Sequence, residues 1–149
     1  MTANRHESVT RADRYRQHVQ DLAAAFGVRL NINAAMPPHA AGAAQSHAGT
    51  HKQIMIVPVI DETTYAVALH ELGHCLHPTG MLASQYSSLG RRTGVPQTIS
   101  DVRMSLLEER SAWEWAHQYA LEWTEPMTFV ERISLASYES AARRLGVKT

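Results

Sequence analysis

Residues 62–77 read ETTYAVALHELGHCLH, and the fold turns on how this stretch is read. Ala66, Val67, Leu69, Leu72 and Leu76 give it an apolar surround, and Pro78 and Gly80 follow as stop signals. The pattern predicts a helix over 62–77. Within it lies His70-Glu71-Leu72-Gly73-His74, an HExxH motif. Positions four apart share one face of a helix. Both imidazoles can therefore reach a single zinc ion at about 2.0–2.1 Å. Glu71 points into the neighbouring sector, where a carboxylate can take a proton from an activated water and pass it to a leaving amine. The bare motif arises by chance in roughly one chain in thirty of this composition, so its context decides. A helix that follows a strand and carries an apolar surround favours a metal site over a core helix with two incidental histidines.

Working outward, residues 53–59, QIMIVPV, predict a strand whose end Pro58 places at a sheet edge. Residues 28–34, VRLNINA, alternate Val28, Leu30 and Ile32 with polar residues, the pattern of a half-buried strand. Before it, Val9, Ala12, Tyr15, Val19, Leu22 and Phe26 recur at helical spacing and Gly27 is a stop, so 6–26 is expected to be helical. Between the strands, 35–52 reads as a loop holding His39, His47 and His51, solvated or able to close over the metal. Downstream, 78–100 reads as a second long connection, with MLASQYSSLG a short helical turn. A helix is expected over 101–123 with Ser100 as its cap, ended by Pro126, and a last helix runs to Leu145 before Gly146. The expected architecture is α+β: one mainly helical domain over 1–149, with a small β-sheet packed on the HExxH helix.

A catalytic zinc commonly takes three protein ligands and keeps one position open. The extended pattern HExxHxxGxxH fails here, because His77 stands at its glycine and Gly80 at its last histidine. The helix from 101 offers Glu108 and Glu109 instead. Val102, Leu106, Glu109, Trp113, Ala116, Ala120 and Trp123 form one stripe at three- and four-residue spacing, and Glu108 lies beside it. A carboxylate in the middle of an apolar face is costly unless paired or metal-bound. Glu109 is therefore the expected third ligand, the bland alternative being a buried salt bridge to Arg132 or Arg103. Ala112 and Ala116, one and two turns on, would let another helix approach closely. Hydrolysis of this kind also needs a donor for the developing oxyanion. Tyr86, between the two metal-bearing helices, is the candidate, with Tyr65, Tyr119 and His117 as alternatives.

The remaining distinctive residues have structural readings. His77 is expected at the helix C-terminus, against its dipole. Cys75 is out of phase with His70 and His74 and reads as a small buried thiol. Trp113, Trp115 and Trp123 read as core, and His117 as a satisfied helix residue.

Bulk properties narrow the function classes. The 149 residues carry 14 Lys and Arg against 14 Asp and Glu, so no basic excess points to nucleic acid. The one cysteine allows no intramolecular disulfide and suits a reducing cytoplasm. The polar N-terminus lacks the apolar core of a signal peptide, and no apolar run approaches the roughly 20 residues of a membrane helix. Nine histidines are many for this length, and imidazole is the commonest protein metal ligand.

Three segments together resemble the ImmA/IrrE family of metallopeptidases: IMIVPVIDETTYAVAL, HELGHCLH, and the run Glu109-Arg110-Ser111-Ala112-Trp113-Glu114-Trp115-Ala116. The resemblance spans about residues 53–120. It implies a zincin-like, gluzincin-type peptidase with zinc held by His70, His74 and Glu109 and with Glu71 as base. It also implies a protein or peptide substrate, transcriptional repressors among them, and a phage or mobile-element setting. The competing expectations are a zinc-binding regulatory protein of the same fold with weak or no catalysis, and a zinc hydrolase of a small amide. The intact Glu71 argues for the peptidase, since a purely structural site has no use for that carboxylate.

Overall fold

A computed structural model describes residues 9–35, 42–46, 52–77 and 98–149, with 42–46 described in their backbone alone. The first element is helix α1, Arg11–Ala25. Thr10 caps it: its hydroxyl accepts from the Asp13 N–H at 3.1 Å, and the Asp13 carboxylate accepts from the Thr10 N–H at 3.2 Å. The helix ends at Gly27, whose φ of 68° is a left-handed conformation that glycine adopts without strain. This turn feeds strand β1, Val28–Ile32.

Two further strands follow, β2 at Gly42–Ser46 and β3 at Lys52–Ile56. They form a three-stranded mixed sheet in the order β1-β3-β2. β1 runs parallel to β3 with Leu30 opposite Ile54, and β2 runs antiparallel to β3 with Ala44 opposite Ile54. β2 lies inside the segment expected to be loop. Its sequence, GAAQS, has neither β-branched residues nor alternation, so pairing with β3 rather than local propensity makes it a strand. Nor does β3 end at a sheet edge: it is the central strand and stops at Ile56, two residues before Pro58, so the proline costs the ladder no hydrogen bond.

Helix α2, Glu62–Leu76, starts at Asp61, whose carboxylate accepts from the Thr64 N–H at 2.8 Å while the Thr64 hydroxyl accepts from the Asp61 N–H at 3.1 Å. Burial pushes the Asp61 carboxyl up, but hydrogen bonds from Thr64 and Thr63 outweigh it and hold the group below its ordinary value. α2 packs on β2 and β3 on one side and on the other three helices elsewhere. It is buried almost all round, as a helix at the centre of a fold must be. Helix α3, Ile99–Tyr119, begins two residues earlier than expected, capped by Thr98 rather than Ser100, and ends at Ala120, before Trp123. Pro126 does not break it. It sits in the first turn of helix α4, Glu125–Arg144, where its missing N–H is no loss. The short turn expected within 78–100 lies outside the described residues.

The main core joins Tyr15, Val19, Ile54, Ile56, Tyr65, Leu69, Leu72 and Trp113, and so fuses α1, the sheet, α2 and α3. A second cluster of Val102, Leu106, Ala142 and Val147 ties α3 to the end of α4. At one end of α1 a polar clasp closes the fold. Arg11 bridges Glu62 at 2.9 Å and Glu122 at 3.0 Å, and the Tyr15 hydroxyl donates to Glu122 at 2.5 Å. Tyr15 stacks on Tyr65 with ring centroids 4.1 Å apart. Among the described residues no helix is long and apolar enough to cross a membrane.

Candidate metal centre

α2 and α3 build the site between them. They approach closely because Gly73 of α2 faces the Ala112 backbone: a Cβ at position 73 would lie 2.9 Å from the Ala112 Cα, with the Ala112 carbonyl oxygen closer still. Only glycine allows that approach, and it brings the α3 carboxylates within reach of the α2 imidazoles.

His70 and His74, one turn apart, present their rings at 4.4 Å between centroids. Both direct Nε2 at the same carboxylate, with His70 Nε2 2.8 Å from Glu109 Oε2 and His74 Nε2 3.1 Å from Glu109 Oε1. Glu109 is 7% exposed, and its partners are these two imidazoles rather than Arg132 or Arg103. Glu71 is also buried and places Oε1 3.3 Å from His70 Nδ1. One donor atom each from His70, Glu71 and His74 lies within 4.8 Å of the others, a grouping able to hold a metal ion. That grouping leaves out Glu109. The direct contacts of Glu109 with both Nε2 atoms make it the better third donor, since Glu71 reaches the opposite nitrogen of only one ring.

Glu108 stands on the other side of His74, with Oε1 3.5 Å from Nδ1. That is ion-pair range without hydrogen-bond geometry, and it leaves the buried His74 Nδ1 without a hydrogen-bond partner among the described residues. The electrostatics follow from the crowding. Burial alone lowers the affinity of both imidazoles for protons. The carboxylates outweigh it, Glu109 and Glu71 around His70, and Glu108, Glu109 and Glu71 around His74, so both rings are raised above their ordinary value. Burial likewise pushes the Glu109 carboxyl up, but the two imidazoles more than reverse this and hold it ionised. Three carboxylates around two imidazoles, enclosed by apolar residues, form a set whose charge a bound cation would balance. The convergent Nε2 atoms and the buried carboxylate between them fit a divalent ion.

Trp113 adds a part that its reading as core residue missed. Its ring stacks on His70 with centroids 4.3 Å apart and planes 26° apart, and its Nε1 donates to the Ser134 hydroxyl of α4 at 3.3 Å. The signal was in the spacing: Trp113 is one helical turn from Glu109 on the same face. Gly73 was equally readable as the small residue between the motif's two histidines.

The other described candidates have structural partners of their own. Tyr65 is fully buried, its hydroxyl accepting from the Leu121 N–H at 3.1 Å and lying 2.7 Å from His18 Nδ1, so it has no free donor to offer a substrate. Tyr119 stacks on Trp115 at 4.3 Å. His117 pairs with Glu131 at 2.6 Å and packs on Trp123, a satisfied helix residue as expected. His77 caps the C-terminus of α2, 3.6 Å from Glu114. Cys75 is a buried thiol whose pKa burial pushes up to about 11. Tyr86, His39, His47 and His51 lie outside the described residues.

Compared with protein-family models, with curated proteins and with solved structures, the chain matches none.

Proposed function

We propose that this chain is a zinc-dependent peptidase of zincin-like fold, with His70, His74 and Glu109 holding the metal and Glu71 acting as general base. The observation that carries the reading is the convergence of two imidazole Nε2 atoms, four residues apart on α2, on one carboxylate delivered by α3. When bound, zinc supplies Lewis acidity, polarising a carbonyl and lowering the pKa of a water from 15.7 to about 7.

The chain's own residues do the rest. Glu109 meets both imidazole Nε2 atoms at one point, where the three donors would hold the metal. Trp113, anchored at Ser134, fixes the plane of His70. Glu71, beside the ligands and not needed as one, accepts the proton of the attacking water at its carboxylate and returns it to the leaving amine. Trp113, buried and stacked on His70, shields that ring from bulk water and strengthens its interactions. The resemblance of the HELGHCLH and Glu109–Ala116 segments to the ImmA/IrrE family supports the same assignment, and favours a cytoplasmic protein as substrate, transcriptional repressors foremost.

The test is Glu71→Gln in zinc-loaded protein, assayed on an unfolded protein such as casein beside a metal determination. The variant is expected to keep about one zinc per chain and to lose at least roughly a hundredfold in turnover. Turnover equal to wild type would remove Glu71 from the mechanism. A wild-type chain that binds zinc and cleaves nothing would favour the regulatory reading, and cleavage confined to small amides would favour the third.

A further inference from the structure

The outer face of α4 carries two large apolar residues among its exposed positions. Of its 20 residues only Met127 and Ala142 are buried. Its acidic side chains on the inner flank are taken up by α3: Glu131 pairs with His117 at 2.6 Å and Glu139 with Arg110 at 3.4 Å. The solvent face instead carries Phe129, 59% exposed, and Ile133, 56% exposed, one turn apart, followed by the exposed Ala136 and Ser140. At 3.6 residues per turn these four fall within about 60° of arc, a narrow seam. Glu125 and Arg143 lie together on one flank of it, at opposite ends of the helix, and neither is ion-paired among the described residues.

We propose that this face pairs with the same face of a second copy of the chain, the two α4 helices running antiparallel about a twofold axis. The pattern is self-complementary only in that orientation. Reversing the helix sets Phe129 against the partner's Ser140 and Ile133 against the partner's Ala136, so large residues meet small ones at every level of the seam. The same reversal sets Glu125 against the partner's Arg143 on the same flank, twice by symmetry. A parallel pairing would stack Phe129 on Phe129 and bring like charges together at both ends. Arg132, on that flank near the axis, faces its own copy and limits the affinity. A helix about 30 Å long used alone buries on the order of 1,000 Å² in total, the transient class of interface, so self-association on the order of 10 µM is expected.

Sedimentation velocity from about 1 µM to about 300 µM brackets that constant. Wild type is expected to pass from monomer to dimer across the range. Ile133→Glu, at an exposed position, is expected to weaken the dimer at least roughly a hundredfold with an unchanged melting curve. Arg143→Glu is expected to weaken it roughly tenfold, and Glu125→Arg in the same chain to restore it. A chain monomeric throughout the range overturns the proposal, as does a dimer indifferent to Ile133→Glu or one whose charge reversal is not rescued by the double variant.

Discussion

Replacing Gly73 by alanine sets two effects against each other, and the structure says which wins. On helix propensity alone the change stabilises α2 by about 0.8–1.0 kcal/mol. The added Cβ, however, meets the Ala112 Cα at 2.9 Å and its carbonyl carbon at 3.0 Å, where unstrained carbon contacts need about 3.5–4.0 Å. The obstacle is backbone and cannot rotate away, so α3 must retreat by roughly 0.5–1 Å. Overpacking of that kind costs about 1–3 kcal/mol. The net destabilisation is then on the order of 1 kcal/mol, a fall in Tm of a few degrees for a chain this long. The same retreat lengthens the 2.8 and 3.1 Å contacts of Glu109 with His70 and His74 and weakens the convergence of the three donors, so zinc affinity should drop at least roughly tenfold. Thermal melts of the metal-free protein and zinc titration against a chromophoric chelator read the two consequences separately. A Gly73→Ala protein that melts higher than wild type and binds zinc as tightly would refute the close approach of α2 and α3.

The two neighbouring glutamates should behave differently. Glu109→Ala is expected to weaken zinc binding severely, and Glu108→Ala by no more than about 10–100-fold, because Glu108 lies only against the far nitrogen of His74. Equal losses in a zinc titration would show that both carboxylates bind the ion. Asp61→Ala, which removes the α2 cap, should cost about 1 kcal/mol at neutral pH. Because folding depresses the Asp61 carboxyl, its contribution is full above its unfolded value near 3.9 and fades as pH falls through the lower folded value. Urea melts of wild type and variant should therefore converge in acid, and a constant difference would assign the cap's effect to something other than ionised Asp61.

Much of the fold was legible where local and tertiary preferences agree. The 62–77 helix appears with its stop one residue early, and the stripe that singled out Glu109 is the face of α3 that meets the two imidazoles. The first strand, VRLNI, follows its alternation. What could not be read depends on partners distant in sequence. GAAQS has no strand character of its own and becomes β2 only beside β3. The central place of β3 depends on that same unreadable neighbour. Trp113 and Gly73 were visible as core residue and motif spacer, but their effect on the site arises only when α3 crosses α2. Ser100 and Thr98 are both acceptable caps, and Asp101 decides between them by completing the reciprocal pair with Thr98.

The clasp at the start of α1 has a kinetic consequence. Arg11 and Tyr15 reach Glu122 across 111 and 107 positions of chain. Closing so large a loop costs entropy that only the near-complete fold can offset, because Glu122 is in place only after α3 has docked on α2. The clasp therefore belongs on the native side of the folding barrier. Tyr15→Phe, which removes the hydroxyl and keeps the ring stacked on Tyr65, is expected to speed unfolding while leaving the folding limb of a chevron unchanged. A slowed folding limb would place the clasp in the nucleus instead. A clasp formed late sets how long the native chain lasts rather than how fast it folds.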